Sequence, residues 1–298
     1  SMIQVRSLSK RLDGRALLDK LSFDVEPGEF FGLFGPPGSG KSAIAQLLAG
    51  LMAPDAGRIA VEGGGDPRSR AARRQVGFVP QALALYEQLS AEQNARFFAR
   101  LYGLSGDRLD QHVGWALDFV RLSEWRHEPV LRYSLGMARR LNLACALVHN
   151  PPVLVLDEPL AGADAQSRAL MLDNLRHLKE HGRTIVYCSP SLADVSRLCD
   201  KVAIVDQGRI LALDTIEDLV AGYGGPTQVT VTFAPDEVPD LDEMPGSVEN
   251  GVWRFPTEDP ILALQRLARE GYALASVHVE APGLESVYES LTGRRSLD

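Results

Sequence analysis

The chain has 298 residues, of which 45% are hydrophobic, and its formal net charge at pH 7 is −8. This length suits one large domain or a core with an appended domain, and the hydrophobic content is sufficient for a sizeable core. Residues 226–298 carry 5 Lys+Arg and 13 Asp+Glu, which accounts for the whole net charge. So acidic a C-terminal part argues against nucleic acid as a partner, because phosphate contacts need Lys and Arg.

Cysteine usage and hydropathy bear on the compartment. Cys145, Cys188 and Cys199 form no C-x-x-C pair, and such a sparse, odd set predicts reduced thiols in a cytosolic protein. The longest uncharged stretch, residues 141–156, contains two adjacent prolines and three polar residues, so we do not expect it to span a membrane. Any membrane association would then come through a partner.

The N-terminal segments predict strands that lead into a glycine-rich loop. Residues 2–6 and 21–25 are rich in β-branched and apolar side chains, and we expect them to form an antiparallel β subdomain. The apolar segment 30–34 predicts a buried strand, and residues 43–51 predict a helix. The next elements in chain order are a strand at 58–61, a glycine-rich loop at 63–67 and a buried strand at 76–79.

Between the strand at 30–34 and the helix at 43–51 lies a sequence of the form G-x-x-x-x-G-K-[ST], the phosphate-binding loop. Its glycines let the backbone curl so that successive N–H groups point at a phosphate, and the helix N-terminus favours anions. We expect Lys41 to reach the terminal phosphates of a nucleotide and the Ser42 hydroxyl to hold Mg²⁺. The predicted nucleotide-binding residues are Gly35, Pro36, Pro37, Gly38, Ser39, Gly40, Lys41, Ser42 and Ala43.

The rest of the chain changes period twice. From residue 90 to 149 apolar residues recur at helical spacing, which predicts a helical insertion. Strands and helices then alternate, which implies a mostly parallel sheet with helices packed on it. The predicted elements are a strand at 153–156, a helix at 166–181, a strand at 184–188, a helix at 191–199, a strand at 202–205, a hairpin at 206–209 and a helix near 215–222.

Beyond a Gly/Pro-rich linker at 222–226, strands at 228–233, 252–255 and 275–279 and a helix at 261–269 predict a small α+β domain. The predicted fold is therefore α/β: a P-loop NTPase core with a mostly parallel sheet, an antiparallel β subdomain and a helical insertion, followed by a small C-terminal α+β domain. We expect the core to span residues 1–225, the helical subdomain within it about 84–149, and the C-terminal domain 226–298.

Two acidic residues and a glutamine follow apolar strands of the predicted sheet. Asp157 and Glu158 end the strand at 153–156, and Gln81 follows the preceding strand. Ligands bind beyond the carboxyl ends of parallel strands, which is also the edge where the phosphate loop begins. We expect Asp157 to order Mg²⁺ through water beside Ser42. We expect Glu158 to polarise the water that attacks the γ-phosphate, and Gln81 to contact both the Mg²⁺ and this water. A helix-capping acidic pair is the structural alternative.

Ser134 and Gly136 stand at the start of a helix predicted at 138–149. Ser134 is a natural N-cap, which is its structural role. Helix starts of this kind also bind phosphate. Because the phosphate loop already encloses the nucleotide of this chain, a second subunit is the source we consider for that phosphate.

With these residues in view, the chain resembles the ATP-binding subunits of ABC transporters over residues 2 to about 222. The phosphate loop is similar to the Walker A motif, Gln81 to the Q-loop glutamine, and residues 153–158 to Walker B with its catalytic glutamate. Residues 133–137 resemble the signature motif, and residues 160–164 resemble the D-loop. The acidic extension is similar to that of single-cassette subunits that serve exporters.

The resemblance implies an ATPase that couples ATP hydrolysis to export by a separate membrane permease. Two cassettes, identical or different, would close head to tail, with ATP and Mg²⁺ between the Walker A loop of one and Ser134 and Gly136 of the other. Opening and closing would pull on membrane helices docked near residues 81–86 and the helical insertion. The implied location is cytoplasmic, at the inner face of the cell membrane. The implied catalytic residues are Lys41, Gln81 and Glu158.

Several positions depart from the family pattern. Pro190 stands where the family has a histidine that contacts the γ-phosphate, and proline offers no donor. Losing one preorganised contact typically costs about 10²–10³ in rate, so one hypothesis is a site that binds ATP well and hydrolyses it slowly, with Ser189 or Ser191 as partial substitutes. The alternative is ordinary sequence drift with activity intact. Leu12 stands where an aromatic ring often stacks on adenine, and we expect it to supply a weaker apolar contact. The signature and the D-loop carry further replacements at Leu135, Met137 and Ala163.

Two other functions stay open at this point. A soluble ABC-type ATPase acting on nucleic acid or ribosomes usually has two cassettes or long coiled-coil insertions, whereas this chain has one cassette and an acidic extension. A nucleotide-binding regulatory subunit with little hydrolysis is motivated by Pro190. It is compatible with export if its partner cassette is more active.

Overall fold

The structure is a computed structural model that describes residues 1–234 and 246–294. The chain forms two compact units, Ser1–Thr215 and the residues from Ile216 onward. This division falls earlier than the boundary expected at residue 225. The reason is that the helix Ile216–Tyr223 packs against the helix Leu284–Thr292 and so belongs to the second unit.

The first unit contains nine strands and seven α-helices among its described residues. In chain order they are β1 (Ile3–Leu12), β2 (Arg15–Val25), β3 (Phe30–Phe34), α1 (Lys41–Leu48), β4 (Ala56–Val61), α2 (Arg70–Gln75), β5 (Val76–Val79), α3 (Ala91–Leu101), α4 (Gly106–Phe119), α5 (Leu135–Leu147), β6 (Val153–Asp157), α6 (Ala165–Glu180), β7 (Thr184–Ser189), α7 (Leu192–Leu198), β8 (Lys201–Asp206) and β9 (Arg209–Thr215).

A six-stranded sheet forms the centre of this unit, with the order β5-β6-β7-β3-β8-β9. Every neighbouring pair is parallel except the hairpin of β8 and β9. All residues of β3, β6 and β7 are buried, as continuous apolar strands of a covered parallel sheet should be. The carboxyl ends of β3, β5, β6 and β7 therefore lie at one edge, as predicted.

A smaller antiparallel sheet, β2-β1-β4, packs on the central sheet. Its inward residues share one core with β3 and α1, and the rings of Phe23 and Phe31 stack with centroids 5.3 Å apart. The predicted antiparallel subdomain is confirmed, with strands longer than expected. Their outer parts alternate in burial and carry several charged residues, so they lack the apolar runs that predict a strand.

The helical insertion consists of α3, α4 and α5, which pack on one another. Ser90 begins α3 with a capping box, in which the Gln93 side chain accepts a hydrogen bond from the Ser90 N–H. The short helix α2 escaped prediction because its six residues include three arginines and no apolar period. Its arginines line a groove together with Phe98 and Leu101 of the helical insertion.

The second unit contains α8 (Ile216–Tyr223), β10 (Thr227–Phe233), β11 (Ser247–Glu249), β12 (Val252–Thr257), α9 (Pro260–Arg269), β13 (Leu274–Glu280) and α10 (Leu284–Thr292). Its four strands form an antiparallel sheet in the order β11-β12-β10-β13. A core that includes Val229, Val231 and Trp253 packs with Leu267 of α9. The predicted α+β character is confirmed, whereas β11 and α10 were not predicted. The parts of the expected domain at 235–245 and 295–298 lie outside the described residues.

Two further expectations concern thiols and membranes. Cys145, Cys188 and Cys199 are free and buried. In the described part of the chain, no helix combines the length and the apolar character that crossing a membrane requires.

Candidate functional site

The phosphate loop joins the end of β3 to the start of α1, as the motif predicts. Gly40 has φ 109°, a conformation that residues with a Cβ rarely adopt. At Gly35 a Cβ would lie 2.1 Å from the carbonyl oxygen of Val205, so only glycine fits against β8. The Gly208 N–H donates to the Ser39 carbonyl at 2.9 Å, so the β8–β9 turn supports the loop from outside.

Lys41 is enclosed by the loop that it follows and is only 3% exposed. Its Nζ donates to the carbonyl oxygens of Gly35 at 2.5 Å and Pro36 at 3.0 Å. Burial lowers the pKa of Lys41, and the negative charges of Glu158 and, less strongly, Asp157 oppose that shift. The ammonium group is thus held among carbonyl dipoles at the centre of the loop, where an incoming phosphate would meet it.

Ser42 and Asp157 meet although they are far apart in the chain. The Ser42 hydroxyl donates to Asp157 Oδ1 at 3.1 Å. Burial raises the pKa of Asp157, the hydrogen bond from Ser42 lowers it, and the neighbouring Glu158 raises it again. These hard oxygen donors are the type that Mg²⁺ prefers. The described residues contain no group of three or more His, Cys, Asp or Glu side chains that could hold a metal, so a metal here needs phosphate and water oxygens as further ligands.

Glu158 and Gln81 also come together at this edge of the sheet. Gln81 Nε2 donates to Glu158 Oε2 at 3.1 Å. Glu158 has φ 45°, and its N–H donates to the carbonyl oxygen of Cys188 at 3.0 Å. A non-glycine residue with positive φ persists where surrounding bonds hold it, which is common at functional sites. The bond to β7 therefore holds the Glu158 backbone, while Gln81 orients its carboxylate.

The expected signature residues lie elsewhere in the same unit. The Ser134 hydroxyl accepts a hydrogen bond from the Met137 N–H at 3.1 Å and caps α5, so its structural role is confirmed. Gly136 is buried, and a Cβ there would lie 2.5 Å from Asp164 Oδ2 and 2.3 Å from Ser167 Oγ. Among the described residues, neither the hydrogen bonds of Ser134 nor the packing neighbours of Gly136 include the phosphate loop.

The segment around Pro190 follows β7, directly beside the acidic pair. The Ser189 hydroxyl is buried and accepts a hydrogen bond from the Ser191 N–H at 3.0 Å. The Ser191 hydroxyl accepts from the Asp194 N–H at 3.4 Å and caps α7. Both hydroxyls are acceptors in these bonds, so the expectation that Ser189 or Ser191 partly replaces a histidine stays a prediction.

Leu12 ends β1 with its side chain 56% exposed. An exposed apolar residue at a strand end is accessible to a flat ligand, and its contact with adenine stays a prediction.

Comparison with known proteins identifies the family. Residues 18–161 match the family described as ABC transporter. The linearmycin resistance ATP-binding protein LnrL of Bacillus subtilis is 33% identical over 100% of both chains. The Nod factor export ATP-binding protein I of Sinorhizobium fredii is 36% identical over 99% of this chain and 87% of its own length. The chain belongs to the ABC transporter family. It is an ATP-binding subunit with ATPase activity, and the resemblance seen in the motifs is confirmed.

Solved structures of ABC transporter subunits share this fold. An ATP-binding subunit of an ABC transporter has a TM-score of 0.69 at 30% identity, over 75% of this chain and 94% of its own. A dimeric ATP-binding cassette, MJ0796, in a post-hydrolysis state with ADP and Pi has a TM-score of 0.66 at 22% identity, over 72% and 98%. The predicted fold class is thereby confirmed.

One buried charged residue beside the site, Arg139, is not among the residues predicted from the sequence. Arg139 on α5 is buried, and its guanidinium contacts the backbone of two loops at the site. The sequence offers only a weak signal for it, because Arg139 stands next to a second arginine, Arg140.

Proposed function

We propose that this subunit binds Mg²⁺-ATP between two cassettes and drives export through a separate permease, with unusually slow hydrolysis. The observation that carries the proposal is the convergence of Lys41, Ser42, Asp157, Glu158 and Gln81 at one sheet edge. Ser42 and Asp157 meet there although more than a hundred positions separate them in the chain. Together the five side chains supply the groups that ATP hydrolysis requires.

Each of these residues has a role that its surroundings support. Lys41 neutralises the terminal phosphates, since its ammonium already lies at the centre of the loop. Ser42 and Asp157, with Gln81, hold Mg²⁺, which when bound neutralises phosphate charge. Glu158 polarises the attacking water, because its carboxylate is oriented and lies beside the loop. The contact of Leu12 with adenine completes the nucleotide site.

The second half of the composite site comes from another copy of the cassette. Ser134 and Gly136 have no recorded contact with the phosphate loop in the described chain, which supports a role toward the nucleotide of a partner cassette. The partner that we propose is a second copy of this chain. Size-exclusion chromatography with light scattering tests this: Glu158→Gln, which retains unhydrolysed ATP, should dimerise with Mg²⁺-ATP. A monomer at saturating ATP would contradict the proposal.

A groove beside Gln81 supports docking of the permease. It has a volume of about 580 Å³ and is lined by Pro80 and Ala84 of the Gln81 loop, by Phe98 and Leu101 of α3, and by the arginines of α2. An apolar, concave surface of this kind suits a helix of a partner protein. The location at the inner face of the membrane follows from this docking, and export follows from the names of the relatives.

Site-specific photo-crosslinking in intact cells tests the docking. A photoreactive amino acid at Leu101, whose side chain is 65% exposed in the groove, should form an adduct with a multi-span membrane protein. The same probe at Leu211, an exposed residue of β9 outside the groove, is the control. Equal adducts from both positions, or none from Leu101, would count against permease docking here.

Slow turnover follows from the segment around Pro190. Proline supplies no donor, and the neighbouring hydroxyls are held in the turn and the α7 cap by the hydrogen bonds that they accept. One missing contact to developing charge costs about 10²–10³ in rate, so we expect turnover well below the ~10 s⁻¹ that is typical of enzymes. Robust, Glu158-dependent phosphate release from the isolated protein would overturn this part of the proposal.

A further inference from the structure

Arg139 is a buried cation that touches two functional loops at once. It lies on α5 and is 8% exposed. Its Nη1 donates to the carbonyl oxygen of Gln81, and its Nε donates to the carbonyl oxygen of Ala161 at 3.0 Å. Among the described residues no salt bridge involves Arg139, and both hydrogen bonds of its side chain go to backbone carbonyl oxygens.

Both partners of Arg139 lead to Glu158. The Gln81 side chain donates to the Glu158 carboxylate at 3.1 Å. The Ala161 N–H donates to the Glu158 carbonyl at 3.2 Å, closing the turn that follows β6. The Arg139 guanidinium thus binds both segments that determine the orientation of the Glu158 carboxylate.

Arg139 also lies on the face of α5 that carries the signature glycine. Gly136 and Arg139 are three positions apart, which places them on one side of a helix. Gly136 packs against Asp164 and Ser167, and Arg139 binds Ala161. This face of α5 therefore packs along the segment that comes after Glu158. A movement of α5 therefore shifts the anchor of the hydrolytic pair.

We propose that Arg139 is a positioning residue for ATP hydrolysis, which holds Gln81 and Glu158 in register with the signature helix. It acts through the Gln81 and Ala161 backbone. Arginine suits the task because its fork of N–H donors can hold two carbonyl groups in a fixed geometry, whereas lysine presents a point charge on a flexible stem. The proposal rests on the roles given above to Gln81 and Glu158.

The first experiment separates positioning from stability. Arg139→Met should lower kcat about 10- to 100-fold, the size expected for a misplaced catalytic group, while KM for ATP changes less than about twofold. Arg139→Lys should give an intermediate kcat and retains the charge, so it reports on the geometry if the methionine variant folds poorly. Unchanged kcat in both folded variants would overturn the proposal.

Arg183 supplies a matched control. It is another partly buried arginine that bonds to loop oxygens, those of Pro151 and Asn150, at the amino end of β6. Arg183→Met should lower the melting temperature by a similar amount as Arg139→Met and leave kcat of the folded fraction unchanged. An equal loss of kcat in both variants would show that Arg139 matters only for stability.

A double-mutant cycle tests the route through Gln81. If Arg139 acts by positioning this glutamine, Arg139→Met added to Gln81→Ala should reduce kcat much less than it does alone. Fully multiplicative losses would contradict that route. A Glu158→Gln variant distinguishes the two levels of failure: if it retains turnover, the proposed function of the site is wrong, whereas if it is inactive and Arg139→Met is not impaired, only this inference fails.

Discussion

Replacing Pro190 by histidine should accelerate ATP hydrolysis. Pro190 follows β7, whose Cys188 pairs in register with Asp157 and accepts the backbone hydrogen bond of Glu158. A donor at position 190 would therefore stand next to the acidic pair. In the native chain Pro190 supplies no donor, and the hydroxyls of Ser189 and Ser191 accept hydrogen bonds that hold both side chains in the turn and the α7 cap.

The magnitude follows from the contact that is restored and from the backbone that receives it. One preorganised donor to developing charge contributes about 10²–10³ in rate, so Pro190→His should raise kcat at least about tenfold even with imperfect alignment. Ser191, and not Pro190, caps α7, so the helix keeps its cap. Loss of the proline ring should lower the free energy of unfolding by less than about 1 kcal/mol.

Steady-state phosphate release at saturating Mg²⁺-ATP is the appropriate assay. Pro190→Ala removes the ring without adding a donor and serves as the control, and Glu158→Gln in each background shows that the turnover belongs to this site. If Pro190→His and Pro190→Ala give the same kcat with unchanged ATP affinity, the missing donor does not limit hydrolysis and the reasoning is refuted.

Three further predictions test the loop, the signature helix and a buried histidine. Lys41→Ala should weaken ATP binding at least about 10- to 100-fold, since charged hydrogen bonds contribute about 1.5–3 kcal/mol each; unchanged affinity for a fluorescent ATP analogue would place the triphosphate elsewhere. Gly136→Ala should lower the free energy of unfolding in urea by about 1–3 kcal/mol, because its Cβ would overlap neighbouring side chains. Gly114→Ala, where a Cβ meets open space, is the control and should be neutral or stabilising. Burial lowers the pKa of His149 from 6.5 to about 4. The unfolded chain therefore binds the proton first, and the stability that neutral His149 supplies is complete above pH 6.5 and is lost as the pH falls toward 4. His149→Gln should remove a pH-dependent difference of up to about 3 kcal/mol between pH 7 and 4; parallel urea profiles for wild type and His149→Gln would contradict this.

Local pattern was enough for the elements that carry chemistry. The apolar runs of β3, β5 and β6 are short, uninterrupted and followed by polar residues, so both the strands and their functional ends were predictable. Ser134 was predictable as a cap because capping depends on residues within one turn. By contrast, α2 and β11 are short and lack an apolar pattern, and the strand ends of β1 and β2 depend on pairing. The helix α10 was not predicted although its apolar residues recur at helical spacing.

The amino-acid sequence by itself determined the class of chemistry, because the phosphate loop, the acidic pair and the order of strands and helices are properties of contiguous residues. Only the tertiary structure decided which distant groups touch: Ser42 with Asp157, Gln81 with Glu158, and Arg139 with the backbone of two loops. The physical reason is that parallel strands bring their carboxyl ends to one edge whatever their separation along the chain. Hydrogen bonds between side chains there depend on distances of a few tenths of an ångström, which no residue pattern encodes.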